Sequence, residues 1–191
     1  MKLNLGCGNR KISDWDNVDK IASCNPDQLV DLEKLPWPWP DDSVDEVVLI
    51  HVLEHLGAAS DVYLGIIKEL YRVCCNDALI KIVVPHPRHD DFLGDPTHVR
   101  AITPAGLSLF SQKENRGWIA QGAANTPLGI YLGVDFSTQS ITVKLDEPWK
   151  GRHNSGELSY ADLNYAMRTY NNVVTQTEIV IRAIKPAGRL G

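Results

Sequence analysis

Several things are scarce or missing in this sequence, and each shortage excludes something. The four cysteines, Cys7, Cys24, Cys74 and Cys75, contain no Cys-x-x-Cys pair. No secretory leader precedes them, so neither a zinc ribbon nor a disulfide framework is indicated, and reduced thiols in a cytoplasmic protein are expected. The longest uninterrupted aliphatic run, residues 47–50, is far too short to cross a bilayer. No run of lysine and arginine follows the pattern of a phosphate backbone, and the net charge is −5. Nucleic acid is therefore not favoured as a partner. There is no internal repeat, low-complexity tract or interdomain linker.

What is present is enough for one core. At 191 residues and 43% hydrophobic, the chain suits a single domain over 1–191 and is too short for two comfortable ones. Charge is uneven: residues 1–99 carry 17 acids and 9 bases (−8), and residues 100–191 carry 7 and 10 (+3). This asymmetry fits either an anionic substrate near the C-terminal half or the ordinary scatter of a solvated surface.

The hydrophobic pattern alternates short strands with helices. Residues 2–6 and 16–19 read as strands with too little chain between them for a full helix, and 29–32 as a third. The "PWPWP" stretch at 36–40 excludes helix and central strand, and its Trp37 and Trp39 either stack on a ligand ring or, as is commoner in a proline loop, cap the edge of the core. "VDEVVLI" (44–50) enters the core. Apolar residues at helical spacing then predict a helix over 60–73 with Ser60 as its cap. "ALIKIVVP" (78–85) reads as a strand buried on both faces. A helix is expected over 104–111, capped by Thr103, then a strand near 140–145, a helix at 159–170 and a strand at 173–184. The fold class is therefore α/β, a doubly wound and mostly parallel sheet.

The decisive stretch is "LNLGCGNRKISDWDNVDK" (3–20). A glycine turn after a buried strand lets backbone approach a ligand, and an aspartate at the end of the next strand can accept both hydroxyls of a ribose. Lys11 stands where a dinucleotide fingerprint needs its third glycine, and the acid comes too early, so a nicotinamide or flavin dinucleotide is disfavoured.

With "DDSVDEVVLIHVLEHL" and "DPTHVRAITP" added, the chain resembles a small class I S-adenosylmethionine-dependent methyltransferase of the type 11 kind, over about residues 2–112. That resemblance implies a Rossmann-like fold with an antiparallel last strand, methyl transfer as the activity and S-adenosyl-L-methionine as the cofactor. It implies that Gly6, Cys7 and Gly8 wrap the methionine part, Asp19 holds the ribose, and Asp31 and Leu32 meet the adenine. Backbone at Ile50 and His51 would line the sulfonium side, with Glu54 and His55 fixing the following turn. The family's helix between the first two strands is nearly missing, and the helix that often precedes the first strand is expected to be absent, so a lid comes from elsewhere or there is none.

Between Pro85 and Arg100 lies a segment rich in histidine and carboxylate, just past a strand's C-terminal end, where open parallel sheets bind ligands. A histidine can orient or deprotonate an acceptor near neutral pH. His98, Asp95 and His86 are the catalytic candidates; for Asp95 and His98 the competing reading is a hydrogen-bonded loop staple. His89 is expected to be solvated. Tyr160, Tyr165 and Arg168 either close the pocket or form an exposed helix face. The methyl acceptor is unidentified, with a small molecule favoured. Two rivals are a non-catalytic S-adenosylmethionine-binding scaffold and a metal-dependent enzyme using the His86 to His98 segment.

Overall fold

Paired aliphatic side chains set the centre of the sheet. Leu3 and Leu5 of β1 (Lys2–Leu5) stand in parallel register with Val47 and Leu49 of β4 (Val44–Ile50), and all four are essentially buried. The computed structural model describes residues 1–188. With β2 (Asp16–Asp19), β3 (Gln28–Leu29), β5 (Cys74–Pro85), β6 (Phe136–Leu145) and β7 (Val174–Ala183), the sheet runs β3-β2-β1-β4-β5-β7-β6. The first five strands pair in parallel, and β7 lies antiparallel between β5 and β6. This is the expected α/β doubly wound sheet with its last strand reversed.

The helix α1 (Ser60–Val73) occupies the predicted residues and buries Tyr63, Ile66, Ile67, Leu70 and Val73. Ser60 is not its cap. The chain enters extended at Ala59, which makes no capping bond, and Ser60 is already the first helical residue. No loop follows α1, because β5 starts at Cys74, four residues before the predicted strand, and pairs Cys74 with Val44 across an irregular register. The third strand is only two residues long, so Asp31 and Leu32 lie just beyond it.

Four helices were not anticipated: α2 (Asp90–Leu93), α4 (Gln112–Ala120), α5 (Leu128–Leu132) and α6 (Trp149–Asn154). In α4 the buried residues are Gln112 and Asn115, so no apolar stripe betrays it. Thr103 does cap α3 (Pro104–Ser108), by accepting from the Gly106 N–H, but this helix ends three residues early. Ser159 caps α7 (Tyr160–Thr169) in a reciprocal box with Asp162. The pair α6 and α7 forms a small satellite cluster around Leu163, Ala166 and Val173. Tyr160 and Tyr165 stay exposed, as a solvated helix face. Trp37 and Trp39 are buried and meet edge to face at 5.7 Å.

Residues 6–15 form no helix, and two buried asparagines explain what replaces it. Asn4 Nδ2 donates to the Arg10 carbonyl (2.9 Å) and to Asn17 Oδ1 (2.9 Å). Asn17 accepts from the Ile12 N–H (2.8 Å) and donates to the carbonyls of Ile12 and Trp15. Side-chain amides thus satisfy loop backbone that a helix would have satisfied internally. No helix among the described residues is long and apolar enough to cross a membrane.

Candidate active site

At the C-terminal ends of β1, β2 and β4 lies a cavity of about 190 Å³. Gly6, Asp19, Asp31, Leu32 and His51, all candidates for holding the cofactor, line it. Cys7, Gly8 and Ile50 are not among its lining residues, whereas Lys20, Val52 and His55 are, and these three were not anticipated as ligand-facing. Valine and lysine carry no motif of their own, and His55 reads equally well as a turn residue.

The glycine turn has two different glycines. Gly6 has φ +66°, and a Cβ there would sit 2.5 Å from Val52 Cγ2, so the close approach of β1 to the end of β4 requires glycine. Gly8 has φ +49°, but a Cβ would meet nothing within 4 Å, which is the open side a ligand can approach. Between them Cys7 is buried, donates its N–H to the Val18 carbonyl (2.9 Å), and has its thiol pushed up in pKa, chiefly by burial.

Asp19 clamps this turn. Its Oδ2 accepts from the Gly8 N–H at 2.8 Å and its Oδ1 from the Ile21 N–H at 2.9 Å. An ionised carboxylate has about four acceptor sites. One hydrogen bond per oxygen leaves each with acceptor capacity to spare, and Asp19 lines the cavity, the combination a vicinal diol needs. Asp31 accepts from the Glu33 N–H in a local turn (3.2 Å), and Leu32 is buried beside it.

His51 follows β4 directly with φ +56°, unusual for a residue with a side chain, and donates its N–H to the Val83 carbonyl (2.8 Å). Its Nδ1 lies 3.4 Å from Glu54 Oε1, an ion-pair contact without hydrogen-bond geometry. Glu54 beside it holds the imidazolium above the ordinary histidine range, against the opposing effect of burial.

The histidine segment divides. The Glu54 carbonyl accepts from the N–H groups of Val99 (2.9 Å) and Arg100 (3.2 Å), docking the 95–100 loop onto the turn after β4. His98 is thereby placed against His55, with ring centroids 4.6 Å apart. Asp95 does not staple His98 by a hydrogen bond, since His98 Nε2 is 3.8 Å from its Oδ2. Asp95 Oδ1 instead takes the Thr97 hydroxyl (2.6 Å) and N–H (2.8 Å), and these bonds hold its carboxyl below the usual carboxylate range.

None of these contacts involves His86. Its Nδ1 faces the Arg88 N–H at 3.3 Å, and burial, then the Arg88 charge, lowers its pKa. His89 is buried rather than solvated: its Nδ1 accepts from the Asp91 N–H as the cap of α2, and its Nε2 lies 3.1 Å from Asp146 Oδ2. Arg88 is spent on the carbonyls of Met167 and Arg168 in α7.

Comparison with solved structures fixes the architecture. An S-adenosylmethionine-dependent methyltransferase from Archaeoglobus fulgidus superposes with a TM-score of 0.61 at 17% identity, over 95% of this chain and 85% of that one. The fold is that of the S-adenosylmethionine-dependent methyltransferases. Another, from Methanosarcina mazei, gives 0.53 at 13% identity, covering 96% and 91%. The [4+2]-cyclase SpnF gives 0.52 at 14%, covering 98% and 75%. No family model matches the chain, and no curated protein matches it in sequence. On this methyltransferase fold, the cavity lies where β1, β2 and β4 end.

Proposed function

We propose that this protein is an S-adenosylmethionine-dependent methyltransferase acting on a small-molecule acceptor in the cytoplasm, and that the described residues belong to one domain. The single observation that carries the reading is Asp19. Its carboxylate is anchored by the glycine turn, keeps acceptor capacity to spare on each oxygen, and lines a cavity that Gly6, Asp31, Leu32 and His51 also line. These residues fit the cofactor: a diol acceptor, an apolar wall at Leu32 and Val30, and open space over Gly8.

Asp19 would hold the ribose, Asp31 and Leu32 the adenine end, and the backbone of Gly6, Cys7 and Gly8 the methionine end, with Ile50 and His51 nearest the sulfonium. When bound, S-adenosylmethionine supplies a methyl group on a positively charged sulfur. The chain's own work is positioning, since methyl transfer is an in-line displacement and gains most from fixed geometry. His98 and its neighbour His55 stand on the acceptor side. Asp95 is a positioning residue that acts through Thr97, and His86 belongs to the scaffold of that side.

SpnF shows that the fold alone does not dictate the reaction. Release of S-adenosylhomocysteine over a panel of small hydroxyl, amine and carboxylate acceptors tests the reading. Turnover with one acceptor class, reduced roughly 10²- to 10⁴-fold in His98→Ala with cofactor affinity near wild type, is the expected result. A protein that binds the cofactor and turns over with none of them would be the non-catalytic scaffold.

A further inference from the structure

We infer that Glu54, His55 and His98 form a binding site for a divalent first-row transition-metal ion at the edge of the cofactor cavity. One ligand atom from each lies within 4.8 Å of the other two. Metal–nitrogen and metal–oxygen bonds of about 2.0–2.2 Å set neighbouring ligand atoms about 2.8–3.6 Å apart at octahedral and tetrahedral angles, so the group needs to close by about 1–2 Å at most, which side-chain rotation supplies.

Two independent features point to a cation. The first is Glu54, whose side chain is fully buried and whose two carboxylate oxygens have no hydrogen-bond partner. A buried carboxylate is normally hydrogen-bonded or coordinates a metal; His51 offers Glu54 a charge at 3.4 Å but no hydrogen bond, so both oxygens keep their lone pairs for an ion. The second is the tautomer of each histidine. His98 Nδ1 lies 2.8 Å from the Phe92 carbonyl, which can only accept, so Nδ1 carries a proton and, in the neutral imidazole that a metal binds, Nε2 is the lone pair. His55 Nδ1 lies 2.9 Å from Thr97 Oγ1, whose own proton goes to Asp95. The hydroxyl therefore accepts from His55 Nδ1–H, so in the neutral ring Nε2 is the nitrogen left to bind a metal. Both rings are oriented as metal-ligating histidines are, with the far nitrogen donating to an oxygen.

Two imidazoles and one carboxylate suit manganese through zinc better than magnesium or calcium, which prefer all-oxygen shells. Three protein ligands leave at least one position open. Because His55 also lines the cavity, that position would take an oxygen of the acceptor, a role that rests on the methyltransferase reading. A lone pair given to metal is not available as a base, so ligation replaces proton removal as the duty of His98.

The test is calorimetry of the chelator-treated full chain with MnCl2 and CoCl2 alone, without cofactor. One equivalent per chain at micromolar affinity is expected, with MgCl2 at least tenfold weaker. His55→Ala and His98→Ala should each abolish stoichiometric binding, Thr97→Val should weaken it about 10- to 100-fold, and His153→Gln should leave it unchanged. Should a variant fail to fold, proton NMR of the cobalt-loaded wild type substitutes, with two shifted, exchangeable imidazole N–H signals expected. Binding weaker than millimolar, or binding kept in both alanine variants, overturns the site. Metal uptake by a protein that takes no S-adenosyl ligand would keep the site and remove only its role toward the acceptor.

Discussion

The glycine turn after β1 and the segment from His86 to Arg100 both lie past the C-terminal ends of parallel strands, yet they are held in opposite ways. The turn is closed locally: Asp19 reaches back to the Gly8 N–H, and Asn4 and Asn17 pin the loop between them. The later segment is held from afar, its 95–100 loop by the Glu54 carbonyl and its His89 by Asp146, just beyond β6. A region closed by near neighbours announces its purpose in sequence. One closed by distant partners shows it only in three dimensions.

Substitution of the two turn glycines sharpens the contrast most. Gly6→Ala combines a left-handed backbone with a 2.5 Å clash on Val52 and should cost about 2–5 kcal/mol of stability, from about 1–2 for the backbone and about 1–3 for overpacking. Gly8→Ala meets open space and should cost only about 1–2 kcal/mol, since the backbone term alone applies, while cofactor affinity falls. Thermal melts and titrations in parallel separate them. Equal destabilisation by the two would mean that both glycines serve packing.

A smaller effect is expected from His86 in the distant segment. Burial and then Arg88 place its folded pKa below the ordinary 6.5, so the unfolded chain takes up the proton first. The stability it contributes is present above pH 6.5 and is lost as pH falls through that range. Denaturant melts between pH 7.5 and 5 should show a shallower decline for His86→Asn than for wild type. Identical slopes would remove His86 from the pH response.

The same division explains what could be read beforehand. β2, β4 and α1 sit on their expected residues because alternation and helical spacing are local signals. Helix α4 escaped because it buries Gln112 and Asn115, whose partners are backbone groups near Leu109 and Gly129. His89 looked like a solvated residue because its partner Asp146 is 57 positions away. The nearness of Asp19 to the glycine turn was legible, since only eleven residues separate it from Gly8. The meeting of Glu54 and His55 with His98 was not, since it depends on Val99 and Arg100 donating to one carbonyl across more than forty residues.

The most direct test of the central claim is calorimetric titration of the folded protein with S-adenosylhomocysteine, beside Asp19→Ala with its folding checked by circular dichroism. One site per chain is predicted, with affinity reduced about 10- to 100-fold in the variant, the scale of losing charge-assisted hydrogen bonds worth about 1.5–3 kcal/mol. A folded wild type that shows no binding at millimolar ligand would contradict the account.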